Sequence, residues 1–130
     1  MGKKWLNIVY NEKNSQRLKK HYKEWAEEYD NDLNEWGYAY PKKIKQILSK
    51  HVQIKKNSRI LDAGCGTGYV AETLIDLNYK NLVGIDYSKD MLEIARSKKI
   101  YKKLICQSLS KKTSMKNAQF DLVICTGVLT

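Results

Sequence analysis

Arginine is scarce in this chain of 130 residues: three stand against 21 lysines, although the net charge is +10. Arginine is the side chain favoured for bidentate recognition of phosphates and bases. The excess charge therefore reads as a solvated lysine surface, nucleic acid is not an expected partner, and only weak, nonspecific attraction to polyanions is implied. Cysteine is equally sparse. Cys65, Cys106 and Cys125 are odd in number and contain no C-x-x-C pair, and His21 and His51 stand alone. A disulfide framework and a zinc site are excluded on spacing, so buried free thiols and no metal are expected. No apolar run approaches the roughly 18 residues of a membrane span, and none follows Met1-Gly2-Lys3-Lys4-Trp5. The expectation is a cytoplasmic protein without a membrane partner. The length allows a single core, and leaves no room for a cofactor domain beside a separate substrate domain.

Glycine is concentrated where it matters. Ile60-Leu61-Asp62-Ala63 leads into Gly64-Cys65-Gly66-Thr67-Gly68, and Val70, Leu74 and Leu77 then recur at helical spacing. The pattern predicts strand, glycine turn, helix. Such a turn lets a ligand touch bare backbone, because glycine takes positive φ cheaply and holds no side chain in the way. The spacing G-x-G-x-G differs from the dinucleotide fingerprint G-x-G-x-x-G, which argues against NAD and an oxidoreductase. A tight strand–helix turn with no ligand is the bland alternative. Asp86, closing Val83-Gly84-Ile85-Asp86, lies 18 positions after Gly68, near the interval of about 20 at which an acid after a second strand meets a ribose. Its bland alternative is a helix cap.

In chain order, residues 1–14 are expected to be partly ordered at best. From Ser15, the positions Leu18, Tyr22, Trp25, Ala26 and Tyr29 predict one amphipathic helix with an aromatic stripe, ending near Asn31. Residues 30–37 read as a turn. Pro41 suits the first turn of a second helix carrying Ile44, Ile47, Leu48 and Val52. These two helices either pack on a sheet or form a lid. Strands are predicted at Arg59–Ala63, Asn81–Asp86, Lys103–Cys106 and Phe120–Cys125, with helices at Tyr69–Leu77 and after an N-cap at Ser88, and a polar loop over 107–119. The last strand, with Phe120, Leu122, Val123, Ile124 and Cys125, is expected to be buried on both faces. This alternation means an α/β fold with a parallel sheet.

Asp62-x-Gly64-x-Gly66-x-Gly68 and Gly84-Ile85-Asp86-Tyr87-Ser88-x-Asp90-Met91-Leu92-x-x-Ala95 resemble motifs I and II of the class I S-adenosylmethionine-dependent methyltransferases. Phe120-Asp121-Leu122-Val123 resembles their fourth strand. Tyr22-x-x-Trp25-Ala26-x-x-Tyr29-Asp30 and Tyr38-x-x-Pro41 resemble the lead-in of small-molecule members, closest to the Williams–Beuren region methyltransferase-like group. The resemblance implies a Rossmann-like sheet of order 3-2-1-4 with two additional amino-terminal helices. It divides the chain into a helical lead-in or lid, 1–57, and a cofactor-binding half, 58–130. S-adenosylmethionine is the implied cofactor and S-adenosylhomocysteine the product.

By the same resemblance, Gly64, Cys65, Gly66 and Gly68 pass the methionine part of the cofactor, Asp62 sits near its amino group, and Asp86 holds the ribose hydroxyls. Tyr87 and Met91 pack on the adenine. Ser108 stands where the family places an acid for the adenine amino group, and its hydroxyl accepts without charge. Thr126 and Gly127 face the sulfonium and the acceptor. No catalytic base is assigned. Cys125-Thr126-Gly127-Val128-Leu129 lacks the Asn-Pro-Pro-Tyr-like motif of amine-methylating nucleic-acid enzymes, which favours a small-molecule acceptor. The family continues past its fourth strand with a helix, a fifth strand and an antiparallel pair, so the chain ending at Thr130 is expected to be a truncated, cofactor-binding half. Its fourth strand is expected to pair with a second copy or a completing partner chain. An inactive binding module that works through oligomerisation is the competing expectation.

Overall fold

The computed structural model describes residues 3–35 and 40–126. Four helices, α1 (Lys3–Asn11), α2 (Ser15–Trp25), α3 (Tyr29–Glu35) and α4 (Tyr40–His51), precede the alternating part. That part comprises β1 (Ile60–Ala63), α5 (Tyr69–Asp76), β2 (Leu82–Asp86), α6 (Lys89–Ser97), β3 (Lys103–Cys106) and β4 (Leu122–Cys125). The strands form one parallel sheet in the order β3-β2-β1-β4, the α/β arrangement expected from sequence. Strand ends differ from expectation by one or two residues, the usual latitude of such boundaries.

Register decides what meets what. Ala63 lies opposite Ile85 and Cys125, and Asp86 lies opposite Cys106. The turn after β1, the end of β2 and the segments after β3 and β4 therefore emerge along one edge, the carboxyl edge where ligands bind in open parallel sheets.

Side chains alternate across the strands and divide the core in two. Ile60, Leu82 and Ile124 face α4 and α5 and join Leu48, Val70, Ala71, Leu74 and Tyr79. Leu61, Ala63 and Ile85 face the other way, toward Met115 and Phe120. Full burial of each such side chain stabilises by about 1.5–3 kcal/mol. α6 packs on β2 and β3 and against α2; its N-cap is Ser88, as expected, whose hydroxyl accepts from the Met91 amide at 3.3 Å.

Several expectations are corrected. Residues 3–11 form α1, which docks on α2, with Trp5 stacked 6.4 Å from Trp25 and Val9 buried. Trp5, Ile8 and Val9 share one helical face, and a helix this short depends on such docking more than on propensity. The single helix from Ser15 to Asn31 is two, because the chain turns at residues 26–28: the Glu28 amide bonds the Trp25 carbonyl at 3.0 Å and Asp32 the Glu28 carbonyl at 2.9 Å. Trp25 fixes this corner, its indole donating to Asp32 Oδ2 at 2.7 Å and its ring lying 4.5 Å from Tyr29. The turn expected from residue 30 is thus α3 as far as Glu35, and four helices stand where two were expected. Ile47 is exposed, whereas Ile44, Leu48 and Val52 reach the core. β4 is not buried on both faces: Ile124 is buried, but Val123 is 56% exposed. Cys65 is a buried free thiol; Cys106 and Cys125 are free but exposed, since β3 and β4 are the outer strands of the described sheet.

Candidate functional site

After β1 the backbone passes through three left-handed residues, Gly64 (φ 73°), Gly66 (φ 53°) and Gly68 (φ 85°), a region that costs an L side chain roughly 1–2 kcal/mol. The turn is fastened to the end of β2. Gly64 and Cys65 amides donate to the Ile85 carbonyl at 2.8 and 3.0 Å, and the Gly66 amide donates to Asp86 Oδ2 at 2.9 Å. Asp86 Oδ1 accepts from the Ser88 amide at 2.8 Å, which joins the same carboxylate to the start of α6. A Cβ added at Gly66 would meet nothing within 4 Å. The absence of a side chain there keeps space open above the turn.

That space is a cavity of about 450 Å³, within the range of small-molecule sites. Its lower wall is Gly64, Gly66, Asp86, Tyr87, Met91, Ser108 and Thr126. Of the ten expected site residues that lie within the described residues, seven therefore converge on it. Asp62, Cys65 and Gly68 do not line it: Asp62 and Cys65 are buried, and Gly68 caps α5. Gly127 lies outside the described residues, as do Trp36, Gly37, Tyr38, Val128 and Leu129. The upper wall comes from α1, α2 and α3, with Tyr10, Tyr22, Trp25, Tyr29 and Leu33. The aromatic stripe is thus both core and roof. Sequence reasoning left that choice open and did not find Val9, Tyr10 or Glu12, which reach the cavity only because residues 3–11 are helical.

Polar contacts hold the roof to the turn. The Asp30 carboxylate, at the start of α3, accepts from the Thr67 hydroxyl and the Lys98 ammonium, and Lys98 also lies 3.2 Å from Glu72. Tyr69 donates to Asn34 at 2.7 Å. Asp30, the last residue of the lead-in pattern, here serves as this tether.

Both acids beneath the turn are held above their ordinary values. Burial pushes the Asp62 carboxyl up to about 6, against the lowering effect of a hydrogen bond from the Tyr101 hydroxyl at 2.6 Å, and the nearby Asp86 charge adds to the rise. Burial also raises Asp86, opposed by the backbone amides of Ser88, Gly66 and Tyr87. The Cys65 thiol is pushed far up by burial and then by the Asp62 and Asp86 charges, so it is no nucleophile. The Tyr87 hydroxyl is buried with no hydrogen-bond partner among the described residues. Among those residues no group of three or more His, Cys, Asp or Glu could hold a metal, and no helix is long and apolar enough to cross a membrane.

A parallel sheet of order 3-2-1-4, a glycine turn after the first strand and an acid after the second define the Rossmann-like fold of class I methyltransferases. The chain belongs to the methyltransferase-domain family, whose model matches residues 60–130. S-adenosylmethionine is the cofactor of this family and S-adenosylhomocysteine its product. Human methyltransferase-like protein 27 is 32% identical over 111 residues, spanning 84% of this chain and 45% of that protein. A Clostridium acetobutylicum S-adenosylmethionine-dependent methyltransferase is 30% identical, with a TM-score of 0.52 over 66% of this chain and 35% of that one. A Methanococcus maripaludis structure described as a candidate enzyme of that type shares the fold at 18% identity, with a TM-score of 0.68 over 82% of this chain and 50% of that one. The chain spans about half the length of these relatives or less.

An acid held above its ordinary value lowers stability at neutral pH. Below 3.8, the ordinary value for Asp62, both states carry the neutral acid; between there and about 6 the unfolded chain ionises first, so stability falls as pH rises through this window. Asp62→Asn, which can still accept from Tyr101, is expected to flatten that fall and to raise stability at neutral pH by an amount on the order of 2–3 kcal/mol. Urea denaturation across the window checks this; a parallel fall in both proteins would mean that Asp62 is not the titrating group.

Proposed function

We propose that this chain is the cofactor-binding part of a class I methyltransferase that acts on a small-molecule acceptor, with residues 1–57 as lead-in and lid and 58–130 as the cofactor half. The observation that carries the reading is convergence: the glycine turn, Asp86 and the residues after β3 and β4 share one cavity beneath an aromatic roof. The residues fit the cofactor. Open space over Gly66 accommodates the methionine part beside Gly64 and bare backbone. Asp86 accepts the Gly66 amide on one oxygen and the Ser88 amide on the other, and the carboxylate keeps acceptor capacity for a ribose hydroxyl. Tyr87 and Met91 flank the adenine; Ser108, already sharing its hydroxyl with Ser110 at 2.7 Å, accepts from the adenine amino group; Thr126 lies toward the sulfonium. Cys65 and Gly68 shape the turn from behind, and Asp62 acts on the cofactor's amino group from beneath it.

When bound, S-adenosylmethionine supplies a methyl group activated by its sulfonium. The protein's contribution is proximity and orientation beneath the aromatic roof. The small-molecule acceptor is supported by the likeness of the lead-in to the Williams–Beuren region group, and a cytoplasmic setting by the free thiols.

A deoxy cofactor analogue gives the test. The 2′,3′-dideoxy form of S-adenosylhomocysteine should bind the parent protein about tenfold or more weakly than the natural product, as expected for lost hydrogen bonds to a charged group. Asp86→Ala, checked for fold by circular dichroism, should bind both ligands equally weakly. If the parent does not distinguish the two ligands, Asp86 is a capping residue only.

A binding module working through a partner is the second reading, favoured by Val123, exposed on outer strand β4. A two-fold pairing of β4 edges is its simplest form. Sedimentation of the chain as a dimer that Val123→Lys dissociates supports it; a monomer at all concentrations excludes it.

A further inference from the structure

Tyr101 sits in the connection between α6 and β3 and does not line the cavity, yet it touches the elements that build the cavity floor. Its hydroxyl donates to Asp62 Oδ2 at 2.6 Å. Its ring occupies room that two glycines leave. A Cβ at Gly68 would stand 3.1 Å from ring atom Cε2 and 3.4 Å from the hydroxyl oxygen. A Cβ at Gly84 would stand 3.0 Å from Cε1, as well as 2.8 Å from Cys65 Sγ and from Leu104 Cδ2. The third glycine of the turn and the glycine of β2 thus form a slot whose occupant is an aromatic side chain and not a ligand.

We propose that Tyr101 is a positioning residue for the cofactor, acting through Asp62: seated between Gly68 and Gly84, it fixes the carboxylate beneath the glycine turn and favours its charged form. The inference rests on the functional reading above. A hydroxyl donor stabilises a carboxylate over the neutral acid, and this is the effect that opposes burial at Asp62. The groups facing that carboxylate are Tyr101 from the α6–β3 connection, Asp86 from the end of β2, Cys65 from the turn and Cys125 from β4. None is a cation. Without the hydroxyl nothing among them favours the charge, so Asp62 should hold its proton to higher pH and the cofactor's amino group should lose an anionic partner.

The test is Tyr101→Phe, which keeps the ring in its slot. In the ligand-free protein, the carboxyl-carbon NMR titration of Asp62 should move to higher pH. S-adenosylmethionine affinity, measured by calorimetry from about pH 4.5 to 7.5, should come close to the parent at the acid end, where Asp62 is mostly neutral in both proteins, and fall behind by severalfold around pH 6 to 7, where the parent's Asp62 is the more fully ionised. Loss of packing alone would lower affinity equally at every pH, and that result overturns the inference. In an Asp62→Asn background, Tyr101→Phe should have no further effect; a full additional loss there also overturns it. Absence of binding by the parent overturns the functional reading and this inference with it. Parental binding with an unaltered profile in Tyr101→Phe overturns the inference alone.

Discussion

The carboxylate of Asp86 accepts a backbone amide on each oxygen, Gly66 on one side and Ser88 on the other, and so joins the turn after β1 to the helix after β2. Much of the site depends on this junction. The parallel register of β1 and β2 brings Ala63 level with Ile85, which lets the Ile85 carbonyl take the Gly64 and Cys65 amides. Positive φ at three glycines then lets the chain double back over the strand ends. The same geometry that stabilises the turn leaves Asp86 facing the cavity with acceptor capacity to spare. Burial raises it and amide donors lower it, so its charge depends on the bonds that hold the turn.

The roof is a separate problem, solved mainly by aromatic burial. Trp25 is 2% exposed and touches Trp5, Tyr22 and Tyr29, which gathers α1, α2 and α3 around one side chain. The tether from Asp30 to Thr67 and Lys98 sets where the roof lands. Ion pairs near a surface contribute little each, so the tether is better understood as fixing position than as supplying stability. It links the lead-in directly to the glycine turn, and movement of α3 would be felt at Thr67.

The alternating part of the chain was legible because local and global signals agree there. Ile60 to Gly68 can hardly be anything but a strand entering a turn, and the acid closing β2 follows at a spacing set by one helix and one loop. Seven expected site residues share the cavity for that reason. The lead-in was harder to read. A period of 3.6 cannot distinguish one helix from two joined at a corner, and the corner at residues 26–28 is made by Trp25 packing and its bond to Asp32, which are tertiary. α1 was missed because nine residues have no stability of their own and become helical by docking on α2. Tyr101 carried no signal at all: its role comes from a slot between glycines 68 and 84, far apart in sequence. The expectation that β4 is buried on both faces failed at Val123, since an apolar run reports composition, and cover depends on what packs against it.

Direct titration of S-adenosylmethionine into the protein by calorimetry at neutral pH, with NAD as control, tests the central claim that the cavity over the glycine turn holds this cofactor. Saturable binding of one S-adenosylmethionine per chain, with no heat from NAD, is the predicted result. No binding of S-adenosylmethionine by the folded protein, or equal binding of NAD, would contradict it.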